Sequence, residues 1–515
     1  MKEHTQKFTT SQNNRRIAKN TLMLYFRMIL TMLVSLYTSR VILNTLGVDD
    51  FGIYNVVGGV VSMFAFLNSA MSSATQRFLS YEIGKGDLIQ LRKTFNATKV
   101  IHFGIAFFIF ILAETIGLWF VKTYLVIPVE RMDAAIWVYH FSVLSFMVSI
   151  IQVPYNATII AHERMNVYAY MSILEVSLKL LIVFLLVGIS FDKLKLYGML
   201  YFGVVFIIAA IYRIYTRRNF EESKFEAVKD KKLYKTLISY SGWNLFGNIA
   251  AVAKGQGVNI LLNLFYGPVV NAARGISTQV QSAVQGFVTN FQMAVNPQII
   301  KSYAADEKRY MTSLIIRSSK FSFYLLFLLS LPIILEIDQI LKLWLKIVPD
   351  YAPIFTVLFM VVILIDSVSG PLMTAIQATG KIKVYQVVVG SLFISILPLS
   401  YLFLKLGYSP EITLYINIVI SIIALSFRLF LVWKLLNFPI KVFIKEIILK
   451  NILIVLLSLS LPFFVKSLMD SNILRLIVVV FISLIWNATI IYVIGLLKSE
   501  KAIVLSGINK IIQKK

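Results

Sequence analysis

The fifteen residues PYNATIIAHERMNVY (154–168) return without a gap as PLMTAIQATGKIKVY (371–385). Pro154/Pro371, Ile159/Ile376, Ala161/Ala378, Val167/Val384 and Tyr168/Tyr385 coincide, and Arg164 stands against Lys381. The offset is 217. Two other anchors keep nearly that spacing: Gly47 with Gly267 at 220, and Ala97-Thr98-Lys99 with Ser318-Ser319-Lys320 at 221. Agreement of three anchors on one offset reads as an internal duplication.

Outward from these segments the chain is a succession of apolar runs. It has 515 residues, 58% of them hydrophobic and 15% charged, whereas soluble domains hold about 25% charged residues. A helix needs roughly 20 apolar residues to cross a bilayer. Candidate spans fall at 20–44, 52–75, 100–121, 134–161, 167–189, 196–216, 238–265, 269–297, 313–335, 352–378, 384–404, 411–433, 450–468 and 473–497. Pro154, Pro332, Gly370-Pro371, Pro398 and Pro462 lie inside several of them, as packed membrane helices tolerate. The expected fold is an all-α integral membrane protein of about 14 transmembrane helices. The polar start to Asn20 followed by a long apolar run without a small-residue cleavage site reads as a retained first span.

Placed on these spans, the duplication gives two six-helix lobes, 1–216 and 238–434, joined by a basic linker at 217–237. Spans 13 and 14 with the tail, 435–515, lie outside it. Six is even, so both copies cross in the same direction: a parallel repeat, with a cleft between lobes that rock in alternating access. The stretch from Arg213 to Lys235 also holds Glu221, Glu222, Glu226 and Asp230. It is expected to be solvated and helical at the membrane surface.

Net charge is +25, from 50 Lys+Arg against 25 Asp+Glu. In a soluble chain that would suggest nucleic acid; here loop bias accounts for it, and no nucleic-acid partner is expected. With the amino terminus inside, 36 basic residues fall on cytoplasmic segments and 9 on outer ones, which sets both termini inside a bacterial cytoplasmic membrane. Cysteine is absent and the four histidines are scattered, so neither thiolate chemistry nor a metal centre is expected. Ala378-Thr379-Gly380-Lys381 lacks the upstream glycine and the following Ser/Thr of a phosphate loop.

Six plus six plus two spans resembles the multidrug/oligosaccharidyl-lipid/polysaccharide exporter superfamily, and the lobes are then MATE-like. The run NTLMLYFRMILTMLVSLYTSRVILNTLGVDDFGIYNVV (20–57) is similar to the first hairpin of its polysaccharide (O-antigen type) flippase branch. The proline-containing span four with Ala161-His162-Glu163-Arg164, and the Gly370-Pro371 counterpart, are similar too. The resemblance implies translocation of an undecaprenyl-pyrophosphate-linked oligosaccharide from the inner to the outer leaflet, for cell-surface polysaccharide export. It implies a positively lined lumen among membrane lipids, and a monomer that associates with a polysaccharide polymerase. A multidrug/cation antiporter of the same superfamily, with twelve spans and usually an acidic cavity, is the alternative; a lipid II flippase is a third.

Ionisable groups at membrane depth are functional candidates by default. Glu175 and Lys179, one turn apart in the favourable acid-first order, read as a structural pair. The remaining cations are Arg27 and Arg40 on span 1, Lys254 on span 7 and Arg274 on span 8. A pyrophosphate diester offers many acceptor oxygens to such donors, Arg with a planar fork, so all four are expected to contact substrate. The competing reading is snorkelling towards the interfaces. Asp366, beside Ser367 and Ser369, and Glu114 are the candidates for H⁺ or Na⁺ coupling, and no other cofactor is expected. Arg27 aligns with Gly247 at the 220 offset, so the lobes should differ in function. The longest outer loop, 336–351, carries Glu336, Asp338 and Asp350. It is too small for a catalytic domain, so an enzyme is not expected.

Overall fold

The computed structural model describes residues 10–502 apart from 63, 126, 189, 346, 347 and 499, with some side chains inside helices, Arg40's among them, also outside the described set. Every regular element among the described residues is helical. In chain order they are α1 (Thr10–Ser62), α2 (Ala65–Lys85), α3 (Leu88–Tyr124), α4 (Met132–Ala161), α5 (Met165–Gly188), α6 (Lys193–Asn219), α7 (231–266) and α8 (Pro268–Ala304). Then come α9 (Lys308–Leu345), α10 (Ala352–Ala378), α11 (Lys383–Lys405), α12 (Ile412–Leu436), α13 (Ile440–Leu468) and α14 (Ile473–Gly495).

Among the described residues, eleven helices are long and apolar enough to cross a membrane. Expected span 52–75 is divided between the end of α1 and the start of α2, and 238–265 and 269–297 are helical but too polar to be among them. α8 shows why: Asn271, Gln279, Gln281, Gln285, Asn290 and Gln292 interrupt its hydrocarbon. Such amides are tolerated at membrane depth only where they face protein or a wet cavity.

The duplicated segments share backbone detail that identity alone would not guarantee. α4 ends at Ala161 and α10 at Ala378. Two residues on, Glu163 and Gly380 both take a left-handed φ, 59° and 76°. Gly47 (φ 81°, ψ 170°) kinks α1, and Gly267 (φ 75°, ψ −170°) separates α7 from α8 in the same conformation.

Helix ends are tied together in two sets. Arg131 bridges Asp50 (2.6 Å) and Asp192 (2.5 Å), Lys195 pairs with Asp133, and Arg475 meets Glu336 at 3.0 Å. All of these lie on segments that the charge count places outside. Glu163 with Arg16 and Lys301, Arg92 with Glu226, His162 with Glu222, and Lys320 with Glu500 all lie on segments placed inside. The pairs therefore join residues of like expected side, as alternating crossings require.

Three local expectations change. The 213–235 stretch is helical only to Asn219 and from Lys231. Between them is one short turn, Glu221–Ser223, where Glu222 is buried against His162 (2.6 Å) and Asn96 donates to the Lys224 carbonyl (3.0 Å). Most of the linker is exposed as expected, and between the two helices only Phe220, Glu222 and Ser223 are buried. The supposed 336–351 loop is mostly the end of α9, and Glu336 is buried. Arg428, one of the 36 basic residues counted as cytoplasmic although it falls in the expected span 411–433, lies inside α12 and is buried; its single charge does not end an otherwise apolar helix.

The chain forms two compact units. Unit 1 holds residues 1–249, 293–310 and 377–387; unit 2 holds 250–292, 311–376 and 388–515. The core of unit 1 includes Leu79, Phe95, Ile159 and Leu186, with a second cluster around Val138 and Tyr139. That of unit 2 is built on Leu262, Ala273, Phe355 and Ile396.

Candidate functional site

Unit 2 encloses a cavity of about 530 Å³. α7 supplies Lys254 from a π-helical turn, Ala253–Gly257, an irregularity that re-aims side chains and is frequent at functional sites. α8 supplies Arg274, Thr278, Gln281 and Gln285, positions that recur on one face at helical spacing. α10 contributes Phe359 and Asp366, α11 Phe393, and α12 Asn417 and Arg428.

Aromatic faces hold the cations. The Lys254 ammonium lies 4.5 Å from the centre of the Phe393 ring, which the Arg428 guanidinium also approaches, at 5.9 Å. Arg274 lies over Phe359 at 5.3 Å, and its Nη2 donates to the Gly255 carbonyl at 3.4 Å. Each ring contact is worth about 0.5–2 kcal/mol, which fixes a side chain without neutralising it. Asp366 is the only carboxylate among the lining residues. Its Oδ1 and the Nη1 of Arg274 are buried without a hydrogen-bond partner. Lys254 and Arg274 thus stand beside one lining acid, and one Arg274 donor has no hydrogen-bond partner. Chemically, the arrangement offers cationic donors to a ligand able to accept from them.

Of the six residues singled out in the sequence, the structure brings Lys254, Arg274 and Asp366 together. Arg27 belongs to unit 1, where it lies 4.7 Å over the Tyr168 ring, and it lines neither of the two cavities described here. Glu114 occupies a π-helical turn of α3 and bonds His140 Nδ1 at 3.0 Å; it too is apart from them. The side chain of Arg40 lies outside the described residues. Arg428 is the residue that sequence reasoning missed. Its signal was the apolar run on both sides of it, which a loop would not have.

Unit 1 holds the second cavity, about 610 Å³, between α2, α4, α5 and α6. Its wall is Asn68, Ser72, Gln76, Gln152, Asn156 and Glu175, among others. Glu175 pairs with Lys179 at 2.6 Å, as its spacing predicts. No lysine or arginine is among the residues lining this cavity. The two cavities thus differ in the chemistry of their walls.

No protein-family model and no curated protein matches the sequence. Solved structures do match its fold. An outward-facing multidrug resistance MATE family transporter of the MOP superfamily is 12% identical, with a TM-score of 0.68, over 81% of this chain and 95% of that one. The MATE transporter ClbM in complex with Rb⁺ is 14% identical, with a TM-score of 0.68, over 83% and 96%. A MOP superfamily transporter from Pyrococcus furiosus, reported with a reversed polarity of its binding pocket, is 11% identical, with a TM-score of 0.64, over 81% and 95%. The chain has the MATE fold.

Proposed function

We propose that this chain is a membrane transporter whose cargo is anionic: an oligosaccharide carried on undecaprenyl pyrophosphate and moved from the inner to the outer leaflet by alternating access. The observation that carries this reading is the pair of cations Lys254 and Arg274 in the unit 2 cavity beside a single lining acid, Asp366. Buried like charges are costly unless a counter-ion shares the site. A pyrophosphate supplies two negative charges and several acceptors, which suit a guanidinium and an ammonium. The walls between the charges are apolar, from Val258, Phe359, Phe393 and Leu414, so an anion placed there would interact in a low dielectric.

Multidrug/cation antiport is the second reading. It is favoured by the fold, since one similar structure is named a multidrug resistance transporter, and by Asp366, a carboxylate able to meet a cation. The two readings make opposite predictions. In the flippase, deleting the gene leaves a lipid-linked oligosaccharide accumulated in the inner leaflet, and Lys254→Ala with Arg274→Ala reproduces that accumulation while the protein still inserts. Increased drug sensitivity without any accumulated lipid-linked intermediate would favour the antiporter. Full translocation in the double variant would remove the anion cavity from the mechanism.

A further inference from the structure

The unit 1 cavity is too polar to be a packing fault and has the wrong charge for the phosphate. α2 brings Asn68, Ser72 and Gln76 to it, one turn apart in succession, and α4 brings Ser149, Gln152 and Asn156. Spacings of three and four keep each set on one helix face. These are amides and hydroxyls, groups that donate and accept at the same site. The one ionised lining group, Glu175, is already met by Lys179, so it does not call for a cationic ligand. Asn68 Oδ1 and Asn156 Oδ1 are buried with no hydrogen-bond partner.

We propose that this cavity is a binding site for a neutral polyhydroxylated ligand, a mono- or disaccharide. Sugar hydroxyls are both donors and acceptors, so they match a wall of amides and serines better than an anion, which accepts only, or an ammonium, which donates only. The volume, about 610 Å³, falls in the usual range of small-molecule sites, about 300–1,000 Å³. The inference rests on the transport reading for why a sugar should arrive, since it assigns the glycan of the cargo a site of its own. The site's chemistry stands on the residues alone.

The test uses the full-length chain purified in detergent, with glucose, galactose and N-acetylglucosamine as probes at millimolar concentration and glycerol as the control solute. Saturation-transfer NMR should show magnetisation passing to ring protons of at least one sugar well above the glycerol level. Gln152→Leu and Asn156→Leu should reduce it at least five-fold, with Ser72→Ala as a milder variant that spares folding, reducing it about two-fold. Inorganic pyrophosphate binding, measured by calorimetry on the same preparations, should be unchanged in those variants and lost in Lys254→Ala. Retained pyrophosphate binding also shows that the leucine variants are folded. Transfer no greater than to glycerol, meaning that the cavity holds water alone, overturns the proposal, as does transfer that ignores Gln152→Leu and Asn156→Leu. Sugar binding without pyrophosphate binding would sink the cargo reading and leave this site standing. Pyrophosphate binding without sugar binding would do the reverse.

Discussion

Replacing Glu163 by Gln should loosen unit 1 more than any other single uncharging on that side of the molecule. The Glu163 side chain is wholly buried. Oε1 meets Lys301 Nζ at 2.6 Å, while Oε2 meets Arg16 Nε at 2.9 Å and accepts from Gln298 at 2.6 Å. Its backbone carbonyl accepts from Asn20 at 3.2 Å. One residue therefore ties the α4–α5 turn to both α1 and α8. At this separation Coulomb attraction in an effective dielectric of about 20 is roughly 6 kcal/mol per pair. Desolvation offsets much of that, and breaking a buried pair costs about 3–5 kcal/mol. Lys301 and Arg16 keep 16% and 30% of their side chains exposed, so water partly rescues them in the variant. We expect about 3 kcal/mol.

The pH dependence carries the sign. Burial alone would push the Glu163 carboxyl up, but Lys301 and Arg16 with their hydrogen bonds more than reverse it, holding the group below its ordinary range. The stabilisation is thus fully present above the unfolded carboxylate value of about 4.3 and fades as pH falls through the lower folded value. Thermal unfolding of the detergent-solubilised protein, with Glu163→Gln and Lys301→Met in a double-mutant cycle, measures the coupling. A coupling below about 1 kcal/mol, the level of exposed surface pairs, would refute the argument. So would a wild type and a Glu163→Gln variant whose profiles run parallel from neutral pH into acid. Glu163→Gly should be less harmful than Glu163→Ala by about 0.5–1 kcal/mol, because φ at this position is 59° and glycine adopts it freely.

Other outcomes are equally checkable. Gly47→Ala and Gly267→Ala should each cost about 1–3 kcal/mol, because both residues sit in a backbone region that only glycine occupies readily; paired thermal shifts measure it, and unequal penalties would count against equivalence of the two turns. Arg131→Ala should cost about 1.5–3 kcal/mol by losing charged hydrogen bonds to Asp50 and Asp192, read by the same unfolding assay and absent if Asp50 and Asp192 are already asparagine. Arg428→Gln should weaken pyrophosphate binding at least ten-fold by calorimetry, whereas Arg27→Gln, which lines neither cavity, should leave it unchanged.

Much of this architecture is legible in a single chain because membrane helices obey a simple rule. Hydrocarbon length decides that a span forms, and α10 occupies Ala352–Ala378 as its apolar run predicts. Lysine and arginine counts assign the sides, and the ion pairs join residues assigned to a common side. What escaped has a common cause: it depends on contacts between elements far apart in sequence. Arg428 reads as the edge of a loop until Phe393 is placed beneath it. Glu163 is an unremarkable polar turn residue until Lys301, 138 positions away, is brought to it. The π-helical turn that positions Lys254 leaves no mark that periodicity can detect. The serines and amides of α2 lower its hydropathy, which signals an inward face without saying what that face encloses.

The two matched turns hold different chemistries on similar backbones. A helix carboxyl end presents unpaired carbonyls and a partial negative charge, and a cation there is favourable. At the end of α10 the cation comes from α2: Arg77 Nε donates to the Gln377 carbonyl at 3.0 Å, and Nη2 to that of Ala378 at 2.6 Å. A Cβ on Gly380 would stand 3.0 Å from that guanidinium, so both the left-handed φ and the crowding favour glycine. At the end of α4 the counterpart of Arg77, at the 221 offset, is Gln298, which is neutral. That leaves room for a side chain at position 163, but an added carboxylate would repel the helix end unless cations accompany it. Lys301 and Arg16 do so. The difference between glycine and glutamate at matched positions thus follows from which helix delivers the positive charge, and an arginine introduced at 298 together with Glu163→Gly should rebuild the α10 arrangement in the first copy.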